Sequence, residues 1–327
     1  MISVIIPVYN SSQTLNKCLN AVFSNKSEEF EVIVISDNSE DNSIDIAKNY
    51  NCKIIELKQN RGPAFARNAG ANLASGDILL FVDSDVIVKE DILMKVNKTF
   101  NNREVSVVQG IYSHVPNYKN IITQYQQSFY CYYTWREQYR YTNTLSSMCF
   151  AVRKNTFHKL KGFNINIKKA TSEDEEFGYK LINDGNKILI SRELNVEHKV
   201  NYTIEKFIKR NFTMYVETTK SFMRNENYTK KIKQKNYSNV IAGIPLIGMI
   251  ILMLIMMIFY SSEKVLIIFS GLNILFLFLH LKFMIFVASS KGLIKALGVM
   301  MCCYLDSFLM LIGVVFANIS YIFGRKY

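Results

Sequence analysis

Residues 76–88 read Gly76-Asp77-Ile78-Leu79-Leu80-Phe81-Val82-Asp83-Ser84-Asp85-Val86-Ile87-Val88. Five consecutive apolar residues behind a glycine, without alternation, predict a strand buried on both faces, and such strands belong to parallel sheets covered by helices. The run ends on two aspartates one residue apart. In open α/β sheets the ligand crevice lies just beyond the carboxyl ends of the strands, so Asp83 and Asp85 fall where a ligand is held. Their hard oxygen donors favour Mg2+ or Mn2+ over metals that prefer softer sites, and an ion held there would bridge to a diphosphate.

The same pattern extends outward. Val4 to Tyr9 is a strand, Leu15, Leu19 and Val22 form one face of a helix opened by Ser11 or Ser12, and Glu31 to Ile35 is a second strand closing on Ser36-Asp37-Asn38. Asp41 to Tyr50 is helical and Lys53 to Leu57 extended. Pro63 to Ala74 is a helix with proline near its start and Gly76 just past its end. Strands alternating with short helices predict an α/β fold: a doubly wound, mostly parallel sheet flanked by helices over residues 1–225. Gly-x-Gly-x-x-Gly and Gly-Lys-Ser/Thr loops are absent after the strands, so dinucleotide and P-loop chemistry lose their main support. A third acidic cluster, Glu173-Asp174-Glu175-Glu176, opens a helix that runs through Phe177 and Leu181 to Gly185. Acids at a helix start also suit its dipole.

The last third changes character. Residues 239–260, 265–281 and 296–323 are almost uncharged, and a bilayer span takes about 20 such residues, so an all-α tail of three transmembrane helices is expected. Residues 226–238 form a basic juxtamembrane linker with Lys230, Lys231, Lys233 and Lys235. By the positive-inside rule this linker and Lys282, Lys291 and Lys295 lie on the cytoplasmic side, with Ser261 to Lys264 outside. Three spans also send Arg325-Lys326 outside, against that rule. Met1-Ile2-Ser3 leads directly into the first strand, from which a cytoplasmic first domain at the cell membrane is expected. The net charge of +12 is accordingly read as attraction to anionic membrane lipids, not to nucleic acid. The six cysteines lack Cys-x-x-Cys spacing, which indicates neither a zinc site nor a disulfide framework. Asp306, within the third span, needs a neighbouring helix or polar group.

Five segments, in order, carry a resemblance: Ser3 to Asn10, Val32 to Ser39, Arg61 to Gly70, Val82 to Asp85 and Ser172 to Asp174. Together they resemble the glycosyltransferase family 2 enzymes, which have the GT-A fold, over roughly residues 1–220. The resemblance implies a nucleotide-sugar donor. Asp37 would accept a hydrogen bond from the nucleobase and Tyr9 stack on it, with Pro7 and Asn10 shaping their loop, although Ser36 replaces the first of the usual paired acids. Arg67 would offer its fork to the diphosphate, beside Asp83 and Ser84. Asp83 and Asp85 match the Asp-x-Asp metal motif, and His198 falls where some relatives place a further metal contact. Asp174 matches the general base of inverting members, with Glu173 as the second candidate for that role.

The resemblance, taken with the membrane tail, implies an inverting, metal-dependent transferase acting on a hydroxyl of a lipid-linked or cell-envelope glycan at the cytoplasmic face. A processive polysaccharide synthase resembles it but carries Gln-x-x-Arg-Trp after the base, and the only tryptophan, Trp135, precedes Asp174. The same acids are also compatible with a polyprenyl-phosphate glycosyltransferase, and the sheet and tail with a non-catalytic nucleotide-binding membrane scaffold. Tyr125, Phe129, Tyr132, Tyr133, Trp135, Tyr139 and Tyr141 interleave with Arg136 and Arg140, which fits either an interfacial or acceptor segment or a packed helix.

Overall fold

A computed structural model of the protein describes residues 1–25, 29–113, 118–135, 141–168, 171–198, 201–224, 238–260 and 262–324. They fall into two compact units, residues 1–114 with 137–200, and residues 115–136 with 201–326. The basic linker at 226–238, the Arg136 to Arg140 stretch and Arg325-Lys326 lie, but for Ser238, outside the described residues.

In the first unit β1 (Ile2–Val8), α1 (Leu15–Phe23), β2 (Phe30–Ser36), α2 (Ser43–Lys48), β3 (Lys53–Glu56), α3 (Pro63–Leu73) and β4 (Ile78–Val82) follow the expected alternation. Then come β5 (Val86–Ile87), α4 (Ile92–Phe100) and β6 (Val107–Tyr112); α5 (Ile121–Trp135) belongs to the second unit. The first unit resumes with β7 (Tyr141–Thr142), β8 (Cys149–Arg153), α6 (Lys154–Lys159), α7 (Glu173–Asn183) and β9 (Ile188–His198).

The strand order is β3-β2-β1-β4-β8-β6-β9-β5, with β7 also on β9. β1, β2, β3 and β4 are mutually parallel, as is β6 with β9. The far half is mixed, because β8 enters antiparallel to both β4 and β6. From β1 the chain moves outward to β3 and then returns to β4 on the other side of β1. The carboxyl ends of β1 and β4 therefore flank a switch point, where α/β sheets open a crevice.

Period-two alternation sends β1 side chains to two cores. Val4, Ile6 and Val8 join Leu15 and Leu19 of α1 and Val96 of α4. Ile5 points the other way, with Leu79, Phe81, Ala66 of α3 and Phe177 of α7. In that second core Phe81 stacks on Phe150 with ring centroids 4.8 Å apart, and Phe163 and Phe177 close the cluster at 4.9 Å. A rigid floor thus lies under the strand ends.

The second unit is helical: α5, α8 (Ile204–Arg224), α9 (Ser238–Phe259), α10 (Glu263–Lys291) and α11 (Leu293–Ile322). α10 and α11 are long and apolar enough to cross a membrane, while α9 carries a shorter apolar stretch over Gly243–Phe259. The middle helix runs past the expected end at residue 281 through Lys282 to Lys291, and only Gly292, at φ 88°, breaks it from α11. Leucine, phenylalanine and isoleucine dominate that helix, so a single lysine does not end it. The units also differ from the expected boundary at residue 225, since α5 and α8 belong with the apolar helices. Tyr125, Tyr132, Tyr133 and Phe207 are buried there against Phe283 and Val299, which makes α5 a packed helix. Asp306 is buried in the same core and accepts hydrogen bonds from the Tyr125 hydroxyl and the Asn211 amide, each at 2.7 Å.

Candidate active site

The loop leaving β1 is built by short polar residues. Asn10 and Asn38 adopt left-handed backbones at φ 47° and 62°, which asparagine tolerates better than most residues, and so turn the chain sharply beyond β1 and β2. The Asn10 N–H donates to Ser39 Oγ at 3.2 Å, Ser11 N–H to Ser43 Oγ at 2.9 Å and Ser12 N–H to Asp41 Oδ2 at 2.8 Å. Ser84 Oγ sits 2.8 Å from Ser11 Oγ, so the Asp83-Ser84-Asp85 turn is tied to this loop. Pro7 pairs with Ile35 inside the sheet, and Tyr9 stands 53 % exposed beyond it.

Asp37 is buried. Its Oδ1 and Oδ2 accept from the backbone N–H groups of Arg61 and Gly62, both at 2.7 Å. Gly62 has φ 87°, and a Cβ there would collide with the backbone carbonyl of Lys168. Pro63 then starts α3. Asp37 thus fixes the entry to α3, and its own N–H donates to the carbonyl of Val8 at the end of β1 at 2.8 Å.

Arg67, expected to reach the diphosphate, instead has its fork occupied. Nη2 donates to Asp83 Oδ1 at 2.7 Å and Nη1 to Glu173 Oε1 at 2.9 Å, with the Arg67 side chain only 4 % exposed. Burial works against its positive charge, but Asp83 and Glu173 outweigh it and raise the guanidinium pKa further. Glu173 Oε2 accepts the Thr171 N–H at 2.8 Å. A signal for this inward placement exists in the sequence: Ala64, Arg67, Gly70 and Ala71 recur at helical spacing on the buried stripe of α3.

The third carboxylate of the region is set apart. Asp85 Oδ2 lies 3.1 Å from His198 Nε2 at the end of β9, where Val86 pairs with His198. Among the described residues no three His, Cys, Asp or Glu side chains converge on one point. Asp83 therefore does not join Asp85 and His198 in a preformed cage. A half-exposed carboxylate beside an imidazole nevertheless fits a hard divalent ion, because Mg2+-type ions take one or two carboxylates and complete their shell with water and substrate phosphate.

Successive helix positions point about 100° apart, and this separates Glu173 from Asp174. Asp174 Oδ2 accepts the Ser147 N–H at 3.0 Å and Oδ1 the Glu175 N–H at 2.8 Å. Burial, then the charges of Glu173 and Glu175, push its carboxyl up to about 7, while the Ser147 N–H and Arg67 pull the other way. Of the two acids, Asp174 is poised to exchange a proton near neutral pH and Glu173 is committed to Arg67.

Residues 3–161 match the family model for glycosyl transferase family 2. The uncharacterized glycosyltransferase YfnE of Bacillus subtilis is 37 % identical over 132 residues, 39 % of this chain and 32 % of that protein. This chain spans less than half the length of YfnE and of several other curated relatives that it matches. Among solved structures, the mannosyltransferase PcManGT of Pyrobaculum calidifontis, in complex with GDP-Man and Mn2+, superposes with a TM-score of 0.56 at 14 % identity, covering 99 % of this chain and 87 % of that one. TarS 1-349 of S. aureus in complex with UDP-GlcNAc gives 0.50 at 17 % identity over 99 % and 92 %. At these identities the superpositions speak for the fold, which is GT-A-like.

Proposed function

We propose that this chain, whose residues 3–161 match the family model for glycosyl transferase family 2, is an inverting enzyme that moves a sugar from a nucleotide donor to a hydroxyl of a lipid-linked or cell-envelope glycan. The carrying observation is Asp174, a carboxyl held near neutral pKa at the start of α7, while its neighbour Glu173 is ion-paired with Arg67. A base with that pKa takes the proton of an acceptor hydroxyl as the oxygen attacks the anomeric carbon; the bond from that carbon to the diphosphate oxygen breaks, and the nucleoside diphosphate leaves with its electron pair. Tyr9, exposed beside the Asp37 turn, is assigned to the nucleobase face with Pro7, Asn10 and Asp37 shaping that wall, and Ser84 to the phosphate side. Asp85 and His198 would hold Mg2+ or Mn2+, which when bound neutralises diphosphate charge. Asp83, one oxygen of which is taken by Arg67, is assigned to holding its turn.

A phosphate monoester is already largely ionised near neutral pH, with a second pKa of about 6, and gains little from such a base. A sugar hydroxyl is far less acidic, which favours it as the acceptor over a bare polyprenyl phosphate. Two helices of spanning length support a membrane-anchored enzyme, with the first unit on the cytoplasmic side. The test is donor and acceptor profiling of the full chain in detergent with Mn2+ supplied, wild type against Asp174→Asn. Transfer to a hydroxyl acceptor that the variant loses is expected. Efficient transfer by Asp174→Asn to a polyprenyl phosphate would sink both base and acceptor.

A further inference from the structure

The geometry points to Arg67 as a positioning residue that locks the strand-end turn of β4 to the first turn of α7, so that Asp85 and Asp174 face the reacting centre in fixed relation. This rests on the base assignment above and deepens it. Arg67 touches neither Asp85 nor Asp174. Its two arms reach instead the residue two before Asp85 and the residue just before Asp174, at 2.7 and 2.9 Å. Each arm therefore carries one functional carboxylate on the adjoining backbone. The guanidinium lies over the Phe163 ring at 5.5 Å, which joins the clamp to the aromatic floor.

Stability alone accounts poorly for this arrangement. A buried cation between two carboxylates costs desolvation that apolar side chains of the same volume avoid. Here the Arg67 Nε is, in addition, buried without a hydrogen-bond partner among the described residues, a further cost. What the fork offers is directional: two fixed contacts from one planar group, which a lysine does not reproduce. The groups acting on Asp174 are Glu173 and Glu175 from its own helix, Arg67 from α3 and the Ser147 N–H from the loop before β8. Arg67 and Glu173 thus act on the base with opposite sign.

The experiment measures kcat, donor KM and the pH dependence of kcat/KM for Arg67→Lys, Arg67→Met and Glu173→Gln in the full-length protein, with folding checked by thermal melting. Arg67→Lys keeps the charge and loses the fork; a kcat drop of about 100-fold at unchanged donor KM is expected, the size of effect that misplacement by an ångström causes. Arg67→Met should move the acid limb of the profile to higher pH. The near-isosteric Glu173→Gln should move it to lower pH and remains informative if the arginine variants fold poorly. Limbs that do not move, or move in the same direction, overturn the proposal, as does a raised donor KM at unchanged kcat, which would mean that Arg67 reaches the diphosphate. Failure of the base reading itself is distinguishable, because Asp174→Asn would then stay active.

Discussion

His198 Nε2 lies 3.1 Å from Asp85 Oδ2, although 113 positions separate the two residues in the chain. The short pairing of β5 with β9 brings them together, aligning Val86 with His198. Activity should therefore require a divalent ion, and Asp85→Ala should abolish it with the melting temperature preserved. His198→Ala should weaken Mn2+ binding about 10- to 100-fold. Titration with Mn2+ followed by electron paramagnetic resonance measures this directly. Full turnover in excess chelator would remove the ion from the mechanism.

Asp174 sets the pH dependence. Its carboxyl is raised to about 7 in the folded protein by burial first and by Glu173 and Glu175 next, and only the ionised form accepts a proton. The rate of transfer should rise with pH through about 7 and then level off, and Asp174→Asn should lower kcat by about 10²- to 10⁴-fold with donor binding kept. Stability moves the other way. Between the carboxyl's unfolded value and its folded one, the native state holds more protons than the unfolded state, so this group's contribution falls as pH rises from about 4 to 7. Denaturation midpoints of wild type and Asp174→Asn across that range should converge at low pH. A pH-independent rate would reject the assignment.

Asp37 and Gly62 should fail together. Asp37→Ala leaves two backbone N–H groups at 61 and 62 without their acceptor, at about 1 to 3 kcal/mol each when buried. Gly62→Ala forces a side chain into a positive φ and against Lys168. Both variants should weaken nucleotide-sugar binding, read by calorimetry, and lower the melting temperature. Unchanged donor affinity in both would separate this turn from the donor site.

The parallel half of the sheet was legible because β1, β2 and β4 are near-continuous apolar runs punctuated by asparagine, glycine and proline. The other half was not. β9 interrupts its apolar residues with Ser191, Arg192, Glu193 and Asn195, and β5 and β7 have two residues each, too few for any period to register. The acids at strand ends and at the start of α7 were readable one by one, but their pairing was not: the bond from Arg67 to Glu173 spans 106 positions and depends on how α3 and α7 pack on the phenylalanine floor. The membership of α5 and α8 in the helical unit was hidden for a similar reason, since their buried polar residues find partners only in three dimensions.

Asp306 tests that helical unit. Its oxygens accept from the Tyr125 hydroxyl and the Asn211 amide, which tie α5 and α8 to α11. Asp306→Leu takes the acceptor from the Tyr125 hydroxyl and leaves the Asn211 amide only Gln126 Oε1 at 3.3 Å, and should cost about 1 to 2 kcal/mol, the scale of hydrogen bonds between membrane helices. Asp306→Asn keeps one acceptor oxygen and should lie between it and wild type. Melting in detergent, followed by tyrosine fluorescence, separates the three; equal midpoints would show that the network contributes nothing.

The length of α10 decides the last prediction. Its 29 residues extend about 43 Å at 1.5 Å per residue, more than the roughly 30 Å hydrocarbon core, so its two ends belong on opposite sides of a bilayer. Glu263 and Lys264 sit at one end, while Lys282 and Lys291 lie toward the other and are followed closely by Lys295 of α11. Lysines near span ends mark the cytoplasmic side by their excess, three toward the Lys291 end against Lys264 alone at the other, and the acid has little weight in that rule. In a background without the native cysteines, Glu263→Cys should react with an impermeant thiol reagent applied to intact cells, whereas Lys291→Cys should react only after the membrane is opened. Labelling of both from outside would mean that α10 lies along the surface instead of crossing it, and the reversed pattern would place the Lys291 end outside.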